Sequence, residues 1–351
     1  MNIGIIGGGM IGQKHIENIL KDGRAKVTWI CTLPPPMVKS LQEKFDIPSG
    51  STNYEDMLDD SDVDSVIIAS PPHLHCEHAI AALQAGKHVM IEKPLALSIK
   101  DVQNIINVTI DNSKLVVLSA AARHSRVQPK FHFIKKLIDE GKIGKVYHIH
   151  HQVLRNGKRY GIEYNPEATW SLSRVNAGGG PMIDWGVYDL SFHLGLLEDD
   201  LELEQIVNST FNGTDIARNY YPDFDVEEHG AAFFKFKSGV SYYYERATNA
   251  HAEKLNQTII HGSNGALVFD YLSWGNPEVI LSKTTYGEKE TLHIERFSVP
   301  LPEMQDDHYA IISHFIDCVI DGEKPLLTPA QEFLHMKIIN QLIKNPPQYL
   351  R

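Results

Sequence analysis

Residues 1–12 read MNIGIIGGGMIG, and residues 13–21 continue QKHIENILK with apolar side chains at helical spacing. A short apolar run, a glycine-rich turn and an amphipathic run in that order specify a strand, a loop and a helix. Gly7, Gly9 and Gly12 form the pattern G-x-G-x-x-G at the junction. Gly7 permits the tight turn, Gly9 lets the backbone approach a pyrophosphate, and Gly12 lets the helix pack on the strand. The free N–H groups and partial positive charge of the helix start favour a phosphate anion. The loop therefore reads as a dinucleotide site, with Gly7, Gly9, Met10, Ile11 and Gly12 against the cofactor.

The alternation continues outward from this unit. Val27–Cys31, Val66–Ala69, His88–Ile91 and Leu115–Ser119 read as strands, and Met37–Phe45, Glu77–Ala85 and Ile99–Ile110 as helices. The strands are short and apolar throughout, as in a parallel sheet buried on both faces. The expected fold here is a doubly wound α/β Rossmann domain over residues 1–123. Beyond it the pattern changes. One helix is expected over Met182–Leu197, and hairpins turn at Ser238–Gly239 and Asn264–Gly265. Helices near His308–Ile320 and Pro329–Lys344 close the chain. Residues 124–351 are thus expected to form an α+β domain on an open, mostly antiparallel sheet. Alternating aromatics such as Phe234, Phe236, Tyr242 and Tyr244 mark an interface on that sheet, and hence a homodimer or homotetramer.

Bulk properties bound the partners. The chain has 351 residues, 42% hydrophobic and 22% charged, and a formal net charge of −11. That field repels nucleic acid and anionic membrane. No apolar stretch reaches the roughly 20 residues that span a bilayer. The three cysteines, Cys31, Cys76 and Cys318, are few and far apart, which fits a reducing cytoplasm. His73, His75, Cys76 and His78 form one cluster and His148, His150 and His151 another, but no metal site is expected of them.

The end of the second strand, about 20 residues past the glycines, is where an acid holds the ribose of NAD. Here stands Thr32, followed by Leu33 and three prolines, so NAD and NADP remain open. Residues 70–98 read SPPHLHCEHAIAALQAGKHVMIEKPLALS, with Glu92, Lys93 and Pro94 directly after a strand. That carboxyl edge is where open α/β sheets bind ligands. Further on, residues 178–190 read GGGPMIDWGVYDL, and helical spacing sets Asp184 and Tyr188 on one face.

Together the glycine-rich start, SPPHLH, AGKHVMIEKPLA, GKIGKV and GGGPMIDWGVYDL resemble the Gfo/Idh/MocA oxidoreductases over nearly the whole chain. The resemblance implies a Rossmann domain, an open-sheet domain, and NAD(P)-dependent chemistry on sugars, inositols and related polyols or ketones. It implies that Lys93 contacts cofactor and substrate, that the Lys93–Pro94 peptide is cis, and that Ser70, Pro71, His75 and Glu92 lie at the cofactor. Many members carry histidine where Tyr188 stands; the glucose–fructose oxidoreductase and dihydrodiol dehydrogenase branches carry tyrosine, assigned as the acid/base. A free tyrosine pKa of about 10 is high for a base, and a lysine ammonium favours the phenolate. Asp184 would bind a substrate hydroxyl. Many members have arginine after the tryptophan at 170, where this chain has Ser171; either Arg174 replaces that contact or the contact is missing, and Arg123 is a further candidate at the substrate. Two other readings accompany a dehydrogenase: a glycosidase using NAD in a transient redox cycle, and a non-catalytic dinucleotide sensor.

Overall fold

Ile3, Ile5 and Ile6 are buried, and they form the centre of a parallel sheet in the computed structural model. The structure describes residues 1–157, 169–214, 224–272, 274–301 and 306–349. The first elements are β1 (Asn2–Ile6), α1 (Met10–Asp22), β2 (Lys26–Cys31), α2 (Pro35–Phe45), β3 (Ser49–Ser51) and α3 (Tyr54–Leu58). Then come β4 (Ser65–Ile68), α4 (His75–Gln84), β5 (His88–Ile91), α5 (Ile99–Asp111) and β6 (Val117–Ser119). The strand order is β3-β2-β1-β4-β5-β6, with every pair parallel. The order reverses between β1 and β4, so the loops that follow these strands flank the switch point where such sheets take ligands. β3 and α3 escape sequence reading. They are only SGS and YEDML, and β3 owes its conformation to pairing with β2.

The next elements are α6 (Pro129–Asp139), β7 (Val146–Leu154), α7 (Arg174–Ala177), α8 (Pro181–Asp184) and α9 (Gly186–Gly195). Seven strands follow: β8 (Leu203–Asn212), β9 (His229–Phe236), β10 (Ser241–Ala247), β11 (Leu255–Gly262), β12 (Gly265–Phe269), β13 (Glu278–Thr285) and β14 (Thr291–Ser298). Helices α10 (Asp307–Ile320) and α11 (Pro329–Leu342) and strand β15 (Gln348–Tyr349) complete the described chain. The second sheet runs β14-β13-β12-β11-β7-β10-β9-β8-β15. Only the β7/β10 and β8/β15 pairs are parallel.

Three expectations are corrected. The single helix over Met182–Leu197 is two helices, because the backbone departs from helical geometry at Trp185, with φ −109°. The aromatics expected on an interface are interior. Phe234, Phe236, Tyr242 and Tyr244 are fully buried on the face that packs under α9. Strand periodicity of two puts Phe233 and Tyr243 on the opposite face, where Phe233 is 45% and Val207 62% exposed.

The third correction concerns the domains. The chain divides after Arg123, as the sequence suggests, but residues 304–336 join the first unit rather than the second. Helix α10 packs on α1, where Arg24 pairs with both Asp22 and Asp317. Ser119 N–H donates to the Leu327 carbonyl at 3.0 Å. The second unit is residues 124–303 with 337–351.

Candidate active site

The glycine-rich loop is built as its spacing requires. Gly7 has φ +106°, and its N–H donates to the Cys31 carbonyl at 2.8 Å. A Cβ on Gly12 would stand 1.9 Å from the Gly7 carbonyl oxygen, so helix and turn touch backbone to backbone. A Cβ on Gly9 would meet nothing within 4 Å. Gly9 is the N-cap of α1, whose first turn holds no acidic residue. An open approach, a free helix start and no competing carboxylate together fit a pyrophosphate. Met10 is 56% exposed beside it and Ile11 is half-buried.

Thr32 closes this loop from the end of β2. Its Oγ1 accepts from the Gly8 N–H at 3.0 Å. The position that carries a ribose-binding acid in many dinucleotide folds thus carries a hydroxyl tied to the phosphate loop.

The Lys93 segment leaves β5 at the same edge. Lys93–Pro94 is cis, as is Leu33–Pro34. Glu92 is buried. Its Oε1 lies 2.9 Å from His15 Nε2 and accepts from Arg123 Nη1 at 2.6 Å. Its Oε2 accepts from the Lys93 N–H at 3.1 Å. Burial alone would raise the Glu92 carboxyl. Arg123 and His15 outweigh it and hold the group well below the usual carboxylate range. Arg123, expected at a substrate, is 3% exposed and committed to this carboxylate.

His75 bridges two loops. Its Nδ1 lies 2.8 Å from the Pro94 carbonyl and its Nε2 2.8 Å from the Ser70 carbonyl. Burial pushes the ring below the usual histidine value against the pull of those two carbonyls. Ser70 Oγ lies 2.9 Å from His78 Nδ1, while Pro71 is exposed.

In the second unit, Asp184 ends α8 and Tyr188 lies in the first turn of α9. Tyr188 is 1% exposed and packs edge-on against His124 at 4.8 Å and Trp185 at 5.4 Å. His124 stacks on Trp185, with ring centroids 5.5 Å apart. The residue after Tyr188 anchors the helix. Asp189 accepts from Arg246 Nε and Nη2 at 2.6 and 2.7 Å, and from the Tyr244 hydroxyl at 2.9 Å. Burial opposes charge on Asp189, but Arg246 and His151 hold its carboxyl far below the usual range. The Arg246 guanidinium also lies over Trp185 at 5.3 Å. Trp185 and Trp274 line a shallow cleft with Arg155, Lys254, Asn256 and Asp270. Burial raises the Asp270 carboxyl to about 6.

Arg174 takes no place in that lining: its Nη1 donates to the Asn345 carbonyl at 3.0 Å. Asp189, Arg246, Trp185 and Trp274 were not singled out from sequence. One signal was available, since alternation on β10 puts Arg246 on the same face as Tyr242 and Tyr244. A buried arginine requires a carboxylate partner.

Two family models match this chain. Residues 1–119 match the oxidoreductase family with an NAD-binding Rossmann fold, and residues 131–268 match the GFO/IDH/MocA C-terminal domain. The chain belongs to the GFO/IDH/MocA oxidoreductase family. Among its relatives, myo-inositol 2-dehydrogenase of Thermotoga maritima is 24% identical, covering 93% of this chain and 91% of that one. Levoglucosan dehydrogenase of Pseudarthrobacter phenanthrenivorans is 25% identical over 77% of this chain and 74% of its own. A solved levoglucosan dehydrogenase in complex with NADH has a TM-score of 0.79 at 22% identity, covering 98% of this chain and 96% of that one. Myo-inositol 2-dehydrogenase from Lactobacillus plantarum gives 0.77 at 22% identity with the same coverage. The fold of the family extends over both units. Among the described residues no helix is long and apolar enough to cross a membrane.

Proposed function

We propose that this GFO/IDH/MocA oxidoreductase moves a hydride between a nicotinamide dinucleotide and a secondary alcohol or ketone of a sugar, inositol or related polyol. The observation that carries this reading is Lys93, held just past β5 on the edge that also presents the dinucleotide loop. The relatives named above act on compounds of this class.

Gly7, Gly9 and Gly12 with the start of α1 would hold the pyrophosphate, and Thr32 would lie at the adenosine ribose. When bound, the nicotinamide supplies the hydride acceptor or donor. Lys93 donates a hydrogen bond to the reacting oxygen. Tyr188 takes the hydroxyl proton in oxidation and returns it in reduction. Asp184 accepts from a neighbouring hydroxyl and fixes the ring. The assay pairs NAD and NADP, oxidised and reduced, with sugars, inositols and keto-sugars and follows absorbance of the reduced nicotinamide. Accumulation of free reduced cofactor with a polyol is the expected result. Bond cleavage of a glycoside without it would favour the glycosidase reading, and no turnover on any member would favour a sensor.

We also propose self-association through the open sheet face that carries Val207, Phe233 and Tyr243, and a cytoplasmic location, which three free cysteines support. A monomeric mass by light scattering at micromolar concentration would reject the assembly.

A further inference from the structure

Lys93 is a long flexible side chain on a loop, and a reacting group must be placed closely to be useful. Two contacts fix its main chain. On one side the Lys93 N–H donates to Glu92 Oε2 at 3.1 Å, so a carboxylate turns back on the amide of its own successor. On the other side His75 meets the Pro94 carbonyl at 2.8 Å. A glutamate left alone rotates about its own torsions and cannot locate an amide. Here its second oxygen is gripped from two separate elements. His15 comes from the second turn of α1 at 2.9 Å, and Arg123 from the segment after β6 at 2.6 Å. All three side chains are buried, so water offers the carboxylate no alternative partner.

We propose that His15 and Arg123 are positioning residues, which act through Glu92 to set Lys93 relative to the helix that starts at the dinucleotide loop. This rests on the reading of Lys93 as a group that touches substrate. It reassigns Arg123 from substrate contact to lysine placement and gives His15 a role that no motif suggested. The arrangement also makes the start of α1 and the Lys93 loop a single mechanical body. A shift of α1 is passed to Lys93 through one carboxylate.

The experiment is a double-mutant cycle on the full chain, using the best polyol found in the cofactor panel. His15→Phe keeps a ring of similar shape and removes the Glu92 contact. Arg123→Lys keeps the charge and removes the rigid fork, and serves as the second probe should His15→Phe fold poorly. Each is made alone and in a Lys93→Ala background, and kcat, KM and NADH affinity by fluorescence are measured. Each single variant is expected to lower kcat by roughly 10- to 100-fold with polyol KM within about twofold. In the Lys93→Ala background the same changes are expected to cost less than about twofold, because the group they place is gone. Equal losses in both backgrounds would show a general structural role and overturn the proposal. So would unchanged kcat, or a raised KM at unchanged kcat, which would put Arg123 back on the substrate. Full activity of Lys93→Ala by itself would instead remove the reading of Lys93, a result separate from the cycle.

Discussion

Gly9 and Gly12 lie one turn apart, yet a methyl group would act on them in opposite ways. The Cβ of Gly9→Ala enters open space at an ordinary φ of −65°. The variant is expected to melt within about 1 °C of the wild type while losing affinity for the dinucleotide, since the methyl occupies the pyrophosphate approach. Gly12→Ala drives its Cβ onto the Gly7 carbonyl at 1.9 Å. Overpacking of this kind costs about 1–3 kcal/mol, so a clear loss in melting temperature accompanies the loss of binding. Fluorescence titration with NADH beside thermal melts separates the two. Tyr188→Phe removes one oxygen from a buried ring and is expected to fold, with kcat down by roughly 10²–10⁴; unchanged turnover would exclude the acid/base role. The glycine roles were legible because they follow from spacing alone. The partner of Arg123 was not, since Glu92 lies far away in sequence and no local pattern joins them.

At the scale of elements, the α8–α9 region departs most from the sequence expectation. Periodicity ran on through Trp185, and apolar periodicity does not register a break of one residue. What breaks the helix is tertiary: Trp185 is held by His124 and Arg246, and Gly186 sits where a Cβ would be 2.9 Å from the Tyr244 hydroxyl. Helix α9 is then fixed to β10 by Asp189. Asp189→Asn leaves Arg246 buried without its counter-charge, and such losses cost about 3–5 kcal/mol. Urea denaturation is expected to show a midpoint well below the wild type, and an unchanged midpoint would mean that the pair contributes nothing. The β9–β10 hairpin shows the other limit of sequence reading. Alternation identified both strands, but aromatic residues stand on both faces, so composition did not say which face is interior. The helix over it decides.

For the whole molecule, acid lability follows from groups in both units. His75, His78 and His193 are buried and their pKa values fall, that of His78 to about 4. Below about pH 6.5 the unfolded chain binds protons that the native rings refuse, so stability falls as pH drops from there toward the native values. Glu92 and Asp189 are depressed carboxylates. Their contribution is complete above the unfolded value of about 4 and is lost as pH falls toward their native values, which adds to the same trend. Melting temperature is expected to be nearly flat between about pH 7 and 8 and to decline steadily below about 6.5; a rise on acidification below about 6.5 would contradict the burial of these rings. The two-part organisation was legible up to Arg123. The return of residues 304–336 to the first unit was not, because it rests on α10 packing against α1, a contact between segments almost the whole chain apart.

The contact between Thr32 and Gly8 restricts how cofactor preference can be re-engineered. On the proposed reading, Thr32 would face the choice between a hydroxyl and a phosphate on the adenosine ribose, and the same side chain accepts the Gly8 N–H of the glycine-rich loop. A serine there keeps that contact and leaves the choice open. An aspartate there would have to place one oxygen on the Gly8 amide and the other on the ribose, so a single rotamer must serve both the loop and the discrimination. Selectivity and affinity for the dinucleotide are therefore coupled at position 32, and variants that alter one are expected to drift in the other unless a second change re-secures Gly8.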